Sequence, residues 1–503
     1  MAIGMVEARS RLFEKKAGRP RRRKKVLLCW SREVPPSVAQ LKKVFCFFFS
    51  KKKCFLLACL SSCAPPLAPP NLSVQANSYV PAPVDDTQFV TGAVQADWWQ
   101  IYGNKALDAL VAQGLAASPT LAQAQANLNQ AQASGAAANG TFLPQIGLNP
   151  NVQRAAYPTG PNGSPPYTIY SLTGTISYDP GLFGARHYTF ENSAAQVAYQ
   201  SAELDTARQT LTGNIVSAAI GEAGYEAQIA TTRNIIAVEQ NLLNLLNGEY
   251  ADGAIPKLNV LQQQSEILAT EATLYPLQSS AEAMHDRAAV LTGQLPANLP
   301  PSGIALAGLN VPGALPLTLP SAYLADRPDL RAARATVAAQ HAALGIAIAH
   351  LYPDLTLSAN GGYASEAVNT LFQTDAGLWT LAANLLEPLY DGGELHARRQ
   401  AAQAQLAAAL AGYRGAVLNA FGEAADALQA VQNDESALAK AQAAADTAGQ
   451  AYQLAAQQYA LGAIDYTTVL TAQTAASRQA LILVQTRTTL LLDVARLESA
   501  MAA

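Results

Sequence analysis

Residues Glu249–Ile255 read EYADGAI and residues Gln458–Ile464 read QYALGAI, one turn written twice with a spacing of 209 residues. The same spacing recurs along the chain. Pro119 and Leu121 of SPTL match Pro328 and Leu330 of RPDL, and Pro144 of FLPQIGL matches Pro353 of LYPDLTL. An offset that stays constant over most of a chain means two copies of one structural unit, with insertions balanced between them. Residues 97–300 are then the first repeat, 301–320 a linker and 321–503 the second repeat.

Each copy alternates between two periodicities. Leu182 to Tyr250 holds no proline, so a near-continuous helix of roughly 100 Å fits there at 1.5 Å per residue, and the stretch from Pro388 to Tyr459 is similar. Residues 256–292 and 464–500 supply shorter partner helices, while 97–138 and 321–350 lead into strands. Strands are predicted near 144–154, 167–179, 353–364 and 376–387, where apolar residues alternate with polar, mostly uncharged ones. Ile146, Leu148 and Val152 face one way and Gln145, Asn149 and Asn151 the other; Trp379, Leu381 and Leu385 oppose Thr380 and Asn384.

Segments of about ten residues with one apolar and one polar neutral face suit tilted strands between lipid and water. A half-buried sheet in a soluble protein alternates in the same way. Aromatics near the strand ends (Tyr167, Tyr170, Tyr178, Tyr363, Trp379) favour a membrane girdle. Pro150 predicts a bulge or distortion in the first strand. Asp179-Pro180 and Glu387-Pro388 mark the passage from strand to helix. Four strands cannot close a barrel, so the chain must assemble. The expected fold class is a mixed α and β membrane protein, a duplicated unit with four transmembrane strands and long coiled helices per subunit.

The net charge of −3 averages two unlike regions. Residues 1–53 hold 16 Lys+Arg and 3 Asp+Glu, whereas the rest holds 17 basic and 33 acidic residues. An acidic body argues against nucleic acid as a partner. All five cysteines lie within the first 63 residues, so nothing downstream forms a disulfide or a thiolate metal site. Residues 1–62 read as a leader: Lys51–Lys53, an apolar run and small residues resemble a secretory signal, while the first 50 residues fit none and read as an over-extended start. Leu60-Ser61-Ser62-Cys63 resembles a bacterial lipobox, with Cys63 the lipidated residue and Cys59 the weaker candidate. Residues 63–96 follow as a Pro-rich, lipidated linker.

No nucleotide-binding loop, paired-cysteine motif, HExxH or nucleophile elbow occurs, so no catalytic residue, metal ligand or cofactor is expected beyond lipid on Cys63. His187, His285, His341, His350 and His396 are scattered without metal-ligand spacing.

The motifs FLPQIGL and LYPDLTL, SYDPGLFG and LEPLYDGG, the opening DWWQIYGNKALDALV and the C-terminal VLTAQTAASRQALILVQTRTTLLLDVARLESAM resemble the TolC-like outer membrane efflux family. They resemble in particular its lipidated branch, which serves RND-type tripartite exporters. The resemblance covers about residues 63–503. It implies a homotrimer with a 12-stranded β-barrel in the outer membrane on a 12-helix periplasmic α-barrel. Such a protein is a passive exit duct for drugs and other toxic small molecules, supplied by an inner-membrane pump and a periplasmic adaptor. It also implies a periplasmic tip at the turns Tyr250–Ile255 and Tyr459–Asp465, closed until the adaptor engages.

On that reading Gly253 and Gly462 permit the tight turns, Tyr250 and Tyr459 pack the closed tip, and Asp252 and Asp465 form rings of three carboxylates. An ordinary cap or turn aspartate is the competing reading of both acids. Many relatives place Asp before the Ala-Gln of the following helix, where this chain has Thr471. A duct for type I protein secretion would look alike. A trimeric coiled-coil adhesin would need neither paired amphipathic strands nor a duplication.

Overall fold

A computed structural model describes residues 67–72, 89–91, 97–156, 166–310, 315–317 and 326–501. Cys59, Cys63 and the rest of the leader lie outside the described residues. Two helices dominate: α3 (Ala185–Ala251) and α7 (Glu394–Ala460), each 67 residues long. Their starts and their ends are both separated by the 209-residue offset. Ala, Gln, Leu and Glu, with no proline, sustain helices of this length.

Helices α1 (Lys105–Ala117) and α2 (Pro119–Gly140) precede the first strand pair. The expected helix over 97–138 is thus divided. Trp98–Tyr102 forms a 3-10 turn, Asn104 caps α1 through its side chain, and Pro119 opens α2 at a position where no N–H is needed. Helix α6 (Pro328–Ala349) precedes the second pair.

After the distal turns the copies differ. The second continues as one helix, α8 (Tyr466–Met501). The first breaks at Thr273 into α4 (Lys257–Ala272) and α5 (Leu274–Leu291). The single helix expected over 256–292 is therefore corrected, and Pro276 supplies the reason. It has no N–H for the carbonyl of Ala272, and its ring crowds that carbonyl.

Strands β2 (Gln145–Ala155), β3 (Tyr167–Tyr178), β5 (Asp354–Ser365) and β6 (Gly377–Leu386) form one antiparallel sheet in the order β2-β3-β5-β6. The short strands β1 (Phe89–Thr91) and β4 (Leu315–Leu317) pair in parallel. The register carries the sequence alternation across all four long strands. Ile146 pairs with Ile176, Ile176 with Ala359 and Ala359 with Leu381, so one face is apolar. Asn149 pairs with Thr173, Thr173 with Gly362 and Thr356 with Asn384 on the other.

Arg154 and Asp354 are the only charges in these strands, one at each end of the sheet. Pro150 causes no bulge, which corrects the expected distortion: it pairs with Leu172 in an unbroken register. The hydroxyls of Ser171 and Thr173 donate to the carbonyls of Asn151 and Asn149. Those carbonyls face β3, so Pro150 between them turns its nitrogen to the open edge of the sheet.

Near the sheet, α2 packs on α3, α3 on α6 and α6 on α7; in the distal half, α4 and α5 pack on α3, α3 on α8 and α8 on α7. The main core lies midway along the long helices. Trp98, Trp99 and Tyr102 bury there against Ile215–Ala223, Ala420–Val431 and the end of α8. The Tyr102 hydroxyl donates to the Leu491 carbonyl at 2.8 Å.

Candidate functional site

The distal turns are built by the repeated glycines. Gly253 and Gly462 take left-handed backbone angles, φ 73° and 74°, just past the ends of α3 and α7. Ala254 N–H then reaches Glu249 O at 2.8 Å and Ala463 N–H reaches Gln458 O at 2.9 Å, the same Schellman closure in both copies. The two turns are therefore one geometry carrying different side chains.

Those side chains bind the two hairpins together. The Tyr459 hydroxyl on α7 donates to the Glu249 carboxylate on α3 at 2.5 Å. The Tyr466 hydroxyl on α8 donates to Gln263 Oε1 on α4 at 3.0 Å, and the Gln263 amide donates onward to the Glu239 carbonyl at 3.2 Å. Around these bonds Leu242, Leu246, Val260, Ala455, Tyr466 and Val469 form a cluster separate from the main core. Burial, then the Glu249 carboxylate, hold the Tyr459 phenol well above its usual range. Burial and Glu266 push Tyr466 up to about 12. Both hydroxyls stay protonated donors at physiological pH.

Tyr250 is half exposed, whereas Tyr459 packs against the distal cluster. Asp252 follows the last turn of α3, and its backbone N–H bonds Gly248 O. Asp465 caps α8: its Oδ1 accepts from the Thr468 hydroxyl at 2.6 Å, the Thr468 N–H at 2.9 Å and the Thr467 hydroxyl at 3.0 Å. These bonds hold its carboxyl below the usual range. Thr471, one turn on, returns its hydroxyl to Thr467 O at 2.8 Å. The bonds of the Asp465 carboxylate all fall within its own cap, to Thr467 and Thr468.

Glu249, Gln263 and Tyr466 were missed by sequence reasoning. Their signal was asymmetry. At the 209 offset Glu249 faces Gln458, Pro256 faces Asp465 and Lys257 faces Tyr466, so the bonds fall where the copies disagree.

Above the turns lies a buried polar layer. Glu239 is enclosed, with Oε1 accepting from the Thr270 hydroxyl at 3.1 Å while Oε2 has no partner. Burial raises its carboxyl above the usual range. Gln473 on α8 is also buried, and neither its oxygen nor its nitrogen is bonded. Among the described residues no group of His, Cys, Asp and Glu has the arrangement of a metal site, and no helix is long and apolar enough to cross a membrane.

Residues 110–291 and 319–503 match the family model described as outer membrane efflux protein. The pyoverdine export outer membrane protein OpmQ of Pseudomonas putida is 28% identical over 343 residues, 67% of this chain and 72% of that protein. The toluene efflux pump outer membrane protein TtgF of Pseudomonas putida is 29% identical over 347 residues, 68% of this chain and 71% of that protein. Among solved structures, the outer-membrane channel OprN superposes with a TM-score of 0.82 at 23% identity, over 87% of this chain and 98% of that one. The outer membrane protein VceC of Vibrio cholerae gives 0.75 at 26% identity, over 81% and 99%. Two family-matched halves, paired amphipathic strands and long helices closed by the same glycine turn make one case: this chain belongs to the outer membrane efflux protein family, with its sheet in the outer membrane and its helices in the periplasm.

Proposed function

We propose that three copies of the chain form the exit duct of a tripartite efflux system, which passively conducts small molecules delivered by an inner-membrane pump through a periplasmic adaptor. One observation carries the assembly. The sheet order β2-β3-β5-β6 and the wall order α2-α3-α6-α7 coincide, and both leave the same two edges open. A single rotation that pairs β6 with the next subunit's β2 therefore also brings α7 against the next α2. Repeated three times, it yields 12 strands, within the range of closed outer-membrane barrels. The apolar face then meets lipid, and the hydroxyl and amide face lines the duct.

Relatives named for cargoes as unlike as pyoverdine and toluene support a duct that leaves the choice of cargo to its pump. At the distal end, the Tyr459–Glu249 and Tyr466–Gln263 bonds hold the tip closed, together with the turns that carry Tyr250, Asp252, Gly253, Gly462, Asp465 and Thr471. Contact with the adaptor opens it.

Cys63 carries the lipid anchor. Leu67 N–H meets the Tyr188 hydroxyl at 3.4 Å in the first turns of α3, His341 Nε2 lies 3.1 Å from Ala68 O, and Leu72 packs on the main core. Residues 67–72 thus descend from the foot of the sheet, and Cys63 is at most about 14 Å of chain from Leu67.

The test is purified protein in detergent and in planar bilayers. A trimeric mass with discrete conductance is expected, and a monomer with full β signal would overturn the duct. Cys63→Ser should abolish palmitate labelling while trimers persist; labelling that survives would move the anchor to Cys59 or elsewhere.

A further inference from the structure

At the foot of the sheet, one inter-junction contact is made within the subunit, while its counterpart lacks a partner. Phe183, between β3 and α3, has φ 58°, the only non-glycine residue with positive φ among the described residues. It stacks on Tyr352, between α6 and β5, with ring centroids 5.2 Å apart and planes at 16°. That contact joins neighbouring junctions.

In the second copy, Gly392 at φ 67° stands where Phe183 does, and Gly393 at φ 90° matches Gly184 at φ 92°. The backbone is conserved between the copies and the ring is gone. In its place Leu389 and Tyr390 project from the same loop, 96% and 92% exposed, the most exposed large apolar side chains among the described residues. Their loop is held in place: the Asp391 carboxylate accepts from Gly393 N–H and Leu395 N–H, each at 2.8 Å. This junction lies on the β6 and α7 edge.

On the opposite edge, between α2 and β2, stand Phe142 and Leu143. Leu143 is the counterpart of Tyr352 at the 209 offset and is 55% exposed. No residue from Thr141 to Ile146 is charged. Phe142 already packs beside Gly181 of its own subunit, with a ring atom 3.1 Å from where a Cβ there would sit. The first copy thus pairs its junction internally, whereas the second leaves the equivalent pair split between two open edges.

We propose that Leu389 and Tyr390 of one subunit seat on Phe142 and Leu143 of the next copy of this chain, replacing at the subunit seam the Phe183–Tyr352 stack made within it. Three seams and three internal stacks then form a continuous apolar belt around the foot of the barrel. The proposal rests on the trimeric reading above and names the surface that makes it.

The native cysteines all lie in residues 1–63, far in sequence from these positions. Two double variants, Phe142→Cys with Tyr390→Cys and Leu143→Cys with Leu389→Cys, are oxidised in the detergent-purified full chain. At least one pair should give covalent dimers and trimers on non-reducing gels, at ten times or more the yield of the single-cysteine controls. Trimers intact by mass with neither pair linking above control would overturn the seam contact and leave the trimer standing; a monomer by mass would overturn both. Rapid labelling of Tyr390→Cys by a lipid-soluble maleimide in intact proteoliposomes would also overturn it, because the side chain would then face lipid.

Discussion

Tyr459 donates its hydroxyl across the two hairpins to Glu249, and Tyr459→Phe removes that bond while keeping the ring. A hydrogen bond to a carboxylate is worth about 1.5–3 kcal/mol, so three symmetric copies shift a closed-to-open ratio by roughly a thousandfold or more. Raised basal conductance with unchanged trimer yield is the expected result; conductance equal to the parent would remove Tyr459 from the gate. Asp465 behaves differently, because its oxygen is engaged in capping α8. Asp465→Ala should lower the thermal midpoint, and Asp465→Asn should restore most of it. Glu498, buried at the end of α8, has neither oxygen bonded, and burial pushes its carboxyl to about 8. A folded value above the unfolded one means full stability below about 4.5, lost as pH rises through about 8. The thermal midpoint should therefore fall between about pH 4.5 and 8, a loss of a few kcal/mol of stability that Glu498→Gln should remove. An unchanged slope would show that Glu498 is not the group responsible.

Among the elements, α3 and α7 share length, ends and closing turn, yet their return legs do not. Pro276 divides the first leg, so only the second hairpin has an unbroken return. Where the hairpins meet above the tip, Glu239 and Gln473 carry buried atoms without partners. An enclosed orphan amide costs about 1–3 kcal/mol, so on the gating proposed above this layer is where the closed tip would separate most readily. Gln473→Leu should then raise the thermal midpoint and lower basal conductance, measured in parallel on trimers. A lower midpoint would mean that the amide is bonded in the assembly and that the layer stabilises it.

For the whole molecule, the two faces of the sheet make opposite demands. Leu381 pairs with Ala359 on the apolar face, and Thr380 pairs with Asn360 on the polar one. Arginine on the lipid side near mid-membrane costs about 2–4 kcal/mol per copy, whereas lumen positions tune selectivity. Leu381→Arg should sharply reduce membrane-inserted trimer, while Thr380→Arg should preserve insertion and turn conductance toward anions. The reverse pattern would invert the assignment of inside and outside.

Much of this fold is legible in the residues alone. Long stretches without proline, repeated at the constant offset, mark both long helices, period-two alternation separates the two faces of each strand, and Gly253 and Gly462 mark the turns. Each of these is local: a helix, a strand face or a left-handed turn is specified by residues a few positions apart. Pro150 looked disruptive because a proline's harm depends on which side its nitrogen faces, and only the sheet order puts that side at an open edge. The bonds of the tip were out of reach for a similar reason. Tyr459 meets Glu249 across 210 residues and Tyr466 meets Gln263 across 203. The rotation and height of one 67-residue helix against another are set by side-chain packing along their whole length. Local pattern specifies the two long helices, the duplication and the strand faces; which side chains meet is fixed only by packing between elements far apart in the chain, because no short-range pattern encodes that register.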